Sequence, residues 1–285
     1  MMDSSLEYLS QEYFDENGDP FTSQLPGMRN PWLFFAIGIN LILFCKYFGP
    51  KLMENKKPMD LRPGMIILNG LAFGAYTAGV FLGVYITDYF RHCMDCRSYE
   101  PNTEDLKQIS MKYLGYVLIY TKIFDFIRPV LSVLAKKNDR VTNMQLMHLQ
   151  ISLMIAWAGV KLNPGGIFVF VALNDTLYQL LVYGYLIMTA SSPEMQPSPS
   201  FRNVLMYFRE VSVAITFLHQ FYFLVQGNCT GSYALQVFST IYTALLTLLY
   251  PIDFHNRTRA KVGDLSSKKK DLAFGVDANK NAIAD

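Results

Sequence analysis

The chain has 285 residues, of which 51% are hydrophobic, 14% aromatic and only 17% charged, with a formal net charge of +2 at pH 7. The charged residues bunch at the two ends and in a few short linkers, leaving apolar runs too long for a soluble domain and typical of a polytopic helical membrane protein. So small a net charge gives no ground for a nucleic-acid partner, and four cysteines are too few for a disulfide-built scaffold.

Residues 1–29 are acidic and polar, lack the basic start and apolar run of a cleaved leader, and are expected to be loosely ordered on the luminal side. The body, 30–252, reads as seven spans. Span 1 covers about 31–49 and is followed by a basic linker holding Lys51, Lys56, Lys57 and Arg62. Span 2, about 64–87, carries Gly70/Gly74 and Gly79/Gly83, small residues at a spacing that lets helix backbones approach closely. A mixed-charge loop, 88–111, holds Cys93 and Cys96, and span 3 runs over about 113–134 to the basic turn AKKNDR.

Span 4 (about 142–160) and span 5 (about 166–189) are joined by KLNPGG, a Pro-Gly-Gly turn that makes them an antiparallel hairpin. A Ser/Pro-rich loop leads to span 6, about 204–226, and then span 7, about 232–252. The tail, 253–285, is polar, with lysines at 268–270. An odd number of spans puts the termini on opposite sides. The basic loops then place the C-terminus in the cytosol and the N-terminus in the lumen. Asn228-Cys229-Thr230, a glycosylation sequon, falls in the luminal loop between spans 6 and 7. Cys93, Cys96 and Cys229 share that oxidising side, so a bridge from Cys96 or Cys93 to Cys229 would tie the two luminal loops together; the pairing stays open between the two.

Charged groups inside spans cost several kcal/mol, roughly 2.5–3.5 each on insertion scales, and usually face a protein interior or a wet cavity. Lys122, Asp125 and Arg128 recur every third residue on span 3, and Asp175 on span 5 adds a second carboxylate. Two readings fit: an internal ion-pair network holding helices together, or a polar cavity for an anionic or thioester ligand. Pro129 is expected to kink the helix beside Arg128. Gln145 and His148 share a face of span 4; His219 lies on span 6; Asn174, Tyr178, Tyr183 and Tyr185 lie along span 5. Metal chemistry finds little support, because His92 and His255 fall in loops on opposite sides and leave only His148 and His219 within spans. Nor is there a Gly-rich phosphate loop or a serine elbow.

The linkers GPKLMENKKPMDLR (49–62), VLAKKNDRVT (133–142) and GVKLNPGG (159–166) resemble, in sequence, spacing and side of the membrane, those of the ELO family of very-long-chain fatty-acid elongases. The resemblance covers about Asn30 to residue 252. It implies a seven-helix membrane bundle of the ELO type, with spans 2–7 enclosing a narrow acyl tunnel, resident in the endoplasmic reticulum membrane; the family's C-terminal dilysine signal is absent here. It also implies condensation of a long-chain acyl-CoA with malonyl-CoA to a 3-oxoacyl-CoA, CO2 and CoA, with no cofactor. Implied partners are the two CoA esters, membrane lipid, and assembly with itself, with other elongases, or with the reductase and dehydratase of the elongation cycle.

The motifs diverge. The family's Lys-x-x-Glu-x-x-Asp-Thr reads Lys122-Ile-Phe-Asp125-Phe-Ile-Arg128-Pro129, and its His-x-x-His-His box reads Gln145-Leu-Met-His148-Leu149. On span 5, Asn174 is kept and Tyr178 stands where the family has His. The span-6 Thr-x-x-Gln-x-x-Gln-Phe element is not recoverable, its glutamines falling on Thr216 and His219 or on His219 and Tyr222. The resemblance thus implies His148 as nucleophile, Gln145 and Tyr178 as catalytic neighbours, and Lys122, Asp125, Asn174, Tyr183, Tyr185 and His219 as substrate-binding residues. Losing general acid–base groups worth typically 10²–10⁴-fold each makes a catalytically impaired protein that binds acyl-CoA, or partners an active elongase, the alternative.

Overall fold

The computed structural model describes residues 12–59, 61–87, 96, 99–100, 104–191, 199–227 and 229–252. The described residues form helices and no β-strand. In chain order they are α1 (Pro31–Met53), α2 (Arg62–Ile86), α3 (Leu106–Asp125), α4 (Ile127–Leu134), α5 (Asn143–Leu162), α6 (Ile167–Ser191), α7 (Pro199–Gln226) and α8 (Tyr233–Ile252), with a short helix, Pro20–Ser23, ahead of them. Four are long and apolar enough to cross a membrane by length and composition: α1, α2, α6 and α8. The remaining expected spans are helical too, but more polar. The outside of the bundle is oily, with Phe81 72%, Tyr85 70% and Leu248 65% exposed, whereas Asp125 and Gln220 are fully buried. That inverted distribution suits a hydrocarbon solvent, and the chain is a membrane protein.

Local sequence sets the helix ends. Asn30, Asp105 and Thr142 each accept a backbone N–H of the first turn of α1, α3 and α5. Pro129 has no N–H to give to the carbonyl of Asp125, so the helix breaks at Phe126 and resumes as α4. The α5–α6 turn needs glycine: Gly165 and Gly166 have φ of 98° and 55°.

Packing runs in a ring. α6 lies against α2 and α7, α2 against α3, and α3 against α5. α8 joins α7 through Gln220, which donates to Ser239 (2.7 Å) and accepts from Thr243 (2.9 Å). It meets α5 through Tyr242 and His148. α1 sits outside the ring on α5. Of the two spaced glycine pairs of span 2 only one serves packing: a methyl group on Gly83 would overlap Leu173 and one on Gly79 would touch Thr176, whereas Gly70 and Gly74 face open space.

The N-terminal segment departs from the expected loose tail. Over 12–28 it covers the end of the ring where α3 and α6 begin. Asp19 pairs with Lys112 at 2.7 Å, Lys161 donates to Ser23 at 2.7 Å, Phe14 packs edge-on against Trp157, and Met28 is fully buried. Its acidic residues meet their lysines only through the tertiary fold, which a polar composition does not reveal. Nearby, Cys96 is bonded to Cys229. Cys93 and the sequon's Asn228 lie outside the described residues.

Candidate functional site

Asp125, the last residue of α3, is fully buried, and both its oxygens are occupied. Tyr183 donates to Oδ1 at 2.6 Å and Tyr76 to Oδ2 at 2.9 Å, the two rings stacked at 5.5 Å. The Arg128 guanidinium lies 3.7 Å from Oδ1 and 4.9 Å over the Tyr183 ring, and donates to Gln179 at 3.3 Å. One turn earlier, Lys122 forms an ion pair with Asp175 and stands 4.0 Å from Asp125. A carboxylate so occupied fastens α2, α3 and α6 together.

Beside this network runs a cavity of about 180 Å³ between α3, α5, α6, α7 and α8. A void of that order exceeds an engineered ~150 Å³ cavity that admits a benzene-sized guest. At one end its wall carries Lys112 and Gly165; at the other, His148, Tyr178, Arg209, Tyr242 and Tyr250. The wall between is mainly apolar, with Leu118, Ile155 and Phe168, and Lys122, Asn174 and Asp175 line it toward the polar end.

His148 sits in the second turn of α5. Its Nδ1 is 2.6 Å from the Tyr242 hydroxyl, which itself reaches the His148 carbonyl at 3.5 Å. If the phenol donates to that carbonyl, its oxygen can accept from Nδ1–H. The Nε2 lone pair is then left for a ligand, the tautomer a nucleophilic imidazole requires. Tyr250 packs edge-on against the imidazole at 5.9 Å. Asn174 donates to the Ser212 carbonyl at 2.8 Å and to Thr216 at 2.7 Å, locking α6 to α7.

Of the residues singled out in the sequence, His148, Tyr178, Lys122, Asn174, Asp175 and Thr216 line this one cavity. The others do not. Gln145 stays in the first turn of α5, where its N–H bonds to the capping Thr142. Leu149 is buried with Met28, Phe34 and Ile119. Helix geometry explains both, since three residues back and one residue on from His148 turn roughly 60° and 100° away from its direction. Asp125 and Tyr183 belong to the ion-pair network, Tyr185 stacks on Phe201 at 5.9 Å, and His219 stacks on Phe170 at 4.1 Å. The span-6 residues on the wall are Arg209, Ser212, Val213 and Thr216; of the positions on which the family's glutamines could fall, Thr216 is there and His219 and Tyr222 are not. Arg209, a charge inside an expected span, was itself the signal for that face; the polar run Ser239, Tyr242, Thr243 and Tyr250 was the signal on span 7. Among the described residues no cluster of His, Cys, Asp and Glu could hold a metal ion.

The family model for "ELO: GNS1/SUR4 family" matches residues 26–263. The sequence is 26% identical to "Very long chain fatty acid elongase 7" of Drosophila melanogaster, covering 90% of this chain and 79% of that protein. It is 26% identical to "Very long chain fatty acid elongase 1" of Homo sapiens, over 86% of this chain and 88% of the human protein. Identity to "Very long chain fatty acid elongase 7" of Rattus norvegicus is 27%, over 77% and 78%.

Proposed function

The chain belongs to the ELO (GNS1/SUR4) family, and on that footing we propose that it condenses a long-chain acyl-CoA with malonyl-CoA in the endoplasmic reticulum membrane. Residues 30–252 are the catalytic body, crossing the bilayer seven times between a luminal N-terminal segment and a cytosolic tail. The observation that carries the reading is His148, one imidazole on the wall of an apolar cavity, with Nδ1 held by Tyr242 at 2.6 Å.

The Nε2 lone pair attacks the thioester carbon, the C–S bond breaks, and CoA leaves as the thiol with the imidazole proton, giving an acyl-imidazole. Malonyl-CoA then loses CO2. The electron pair of the broken C–C bond attacks the acyl carbon, the C–N bond breaks, the released imidazole nitrogen takes up a proton from water, and 3-oxoacyl-CoA departs from neutral His148. The Tyr178 hydroxyl, on the same wall, suits donation to the oxyanion that develops at each attack. Lys122 and Asp175, paired with one another, keep this end of the cavity polar.

A second reading has its own support. Among the described residues His148 is the sole imidazole on the cavity wall, and Gln145 and Leu149, which stand where the family has histidines, both lie off it. The chain would then bind the acyl group without turning it over, alone or beside an active elongase. Membranes carrying the full chain, given labelled malonyl-CoA and a panel of acyl-CoAs, separate the two. Extension that disappears with His148→Ala supports condensation. Acyl-CoA binding without extension of any primer supports the second reading.

A further inference from the structure

We propose that the cavity also takes an unesterified long-chain fatty acid, with its carboxylate held by Arg209 and its chain along the apolar wall toward Lys112. The inference goes beyond condensation, and it narrows the acyl-binding alternative to one head group. It starts from charge balance. Lys122 pairs with Asp175, Arg128 with Asp125, and Lys112 with Asp19. Arg209 is the cation left over: among the described residues it forms no ion pair, and its neighbour in sequence, Glu210, is not on the cavity wall. A half-buried guanidinium without a counter-charge is incompletely solvated, and an anion on it offsets that cost.

Geometry says which anion. The guanidinium carbon lies over the Tyr250 ring, 3.7 Å from its centroid. The ring uses the face of the group and leaves the N–H edge for an acceptor in the guanidinium plane, and Nε–H is buried with no such acceptor. A carboxylate matches that edge in the two-point fashion an arginine fork favours. Tyr178, close enough to Arg209 to interact, adds a hydroxyl on the same wall. Behind this cluster the cavity is apolar, with Ile155, Val160 and Phe168. A cation at one end of an oily channel fits a molecule with one charged end and a hydrocarbon tail.

Two rival ligands fit less well. An acyl thioester brings an uncharged carbonyl to this position and leaves the charge uncompensated. The malonyl carboxylate must depart as CO2, and a cation clamped on it would stabilise the ground state and oppose that loss.

The test uses the full chain in nanodiscs and a photoactivatable sixteen-carbon fatty acid, with empty nanodiscs as blank. Labelling should fall on α3, α5 or α6. Palmitic acid should compete, while methyl palmitate and malonyl-CoA compete at least about tenfold less well. Arg209→Met should raise the half-saturating concentration roughly ten- to a hundredfold, the loss expected when charge-assisted hydrogen bonds disappear. Arg209→Lys, which keeps the charge without the fork, should lose less. The proposal is overturned if the ester competes as well as the acid, if malonyl-CoA displaces the label better than palmitic acid, if Arg209→Met labels like wild type, or if both variants lose equally. None of these outcomes depends on extension activity, so failure here leaves the condensation reading to its own assay.

Discussion

Tyr183 donates its hydroxyl proton to Oδ1 of Asp125 at 2.6 Å, joining the middle of α6 to the end of α3 in a place without solvent. With Tyr76 on the other oxygen and Arg128 alongside, this makes Asp125 the hub of a three-helix joint. Removing one partner of a buried charged set typically costs about 3–5 kcal/mol, because it strands the rest. Asp125→Ala should therefore lower the unfolding midpoint sharply. Tyr183→Phe should cost less, about 1.5–3 kcal/mol for one hydrogen bond to a charged group. Thermal unfolding of the purified variants measures both. Equal, small effects would show that the joint is not what holds these helices.

Tyr242 acts on His148 through its hydroxyl, which meets both Nδ1 and the backbone carbonyl. Tyr242→Phe keeps the ring that packs on the imidazole and removes the hydroxyl that fixes its tautomer. Loss of a bond worth about 0.5–1.5 kcal/mol corresponds to a roughly two- to tenfold fall in kcat, with KM for acyl-CoA unchanged. Steady-state extension kinetics on the two proteins decide it.

Lys112 is buried in a wall of the cavity with Asp19 as its counter-charge. Asp19→Ala should destabilise by about 3–5 kcal/mol, and the double variant Asp19→Ala with Lys112→Met should recover much of the loss, because no charge is then stranded. A double-mutant cycle on unfolding midpoints gives the coupling. Near-zero coupling would mean that the N-terminal segment rests on the bundle without this pair.

The Cys96–Cys229 bond closes a loop spanning 133 positions of sequence. Its loss, by reduction or by replacing both cysteines with serine, should cost about 2–4 kcal/mol, chiefly by freeing the unfolded chain. Replacing Cys93 instead should leave the bond intact, which peptide mapping under non-reducing conditions checks.

Much of the helix layout is legible in the sequence because apolar runs and Pro/Gly linkers mark helix bodies and ends directly. The α5–α6 turn at Pro164, Gly165 and Gly166 is a case in point. Facing is harder. Lys122, Asp125 and Arg128 look like one stripe, but each step of three turns the side chain back by about 60°. Lys122 therefore looks into the cavity, while Asp125 turns toward Tyr76 and Tyr183. On α7 the eye falls on His219, the familiar catalytic type, although Arg209 is the costlier group to bury and is the one on the wall. The N-terminal segment was illegible for a different reason: Asp15 and Asp19 resemble any solvated acids until Lys161 and Lys112 are brought beside them.

The most direct test of the central claim is the half-reaction. Purified full-length protein is incubated with a long-chain acyl-CoA in the absence of malonyl-CoA, and free CoA is measured against protein. A nucleophilic His148 predicts release of up to one CoA per chain, a matching acyl mass increase on the α5 peptide, and the loss of both in His148→Ala. Bound acyl-CoA with no CoA released, or release that continues undiminished in His148→Ala, would contradict it.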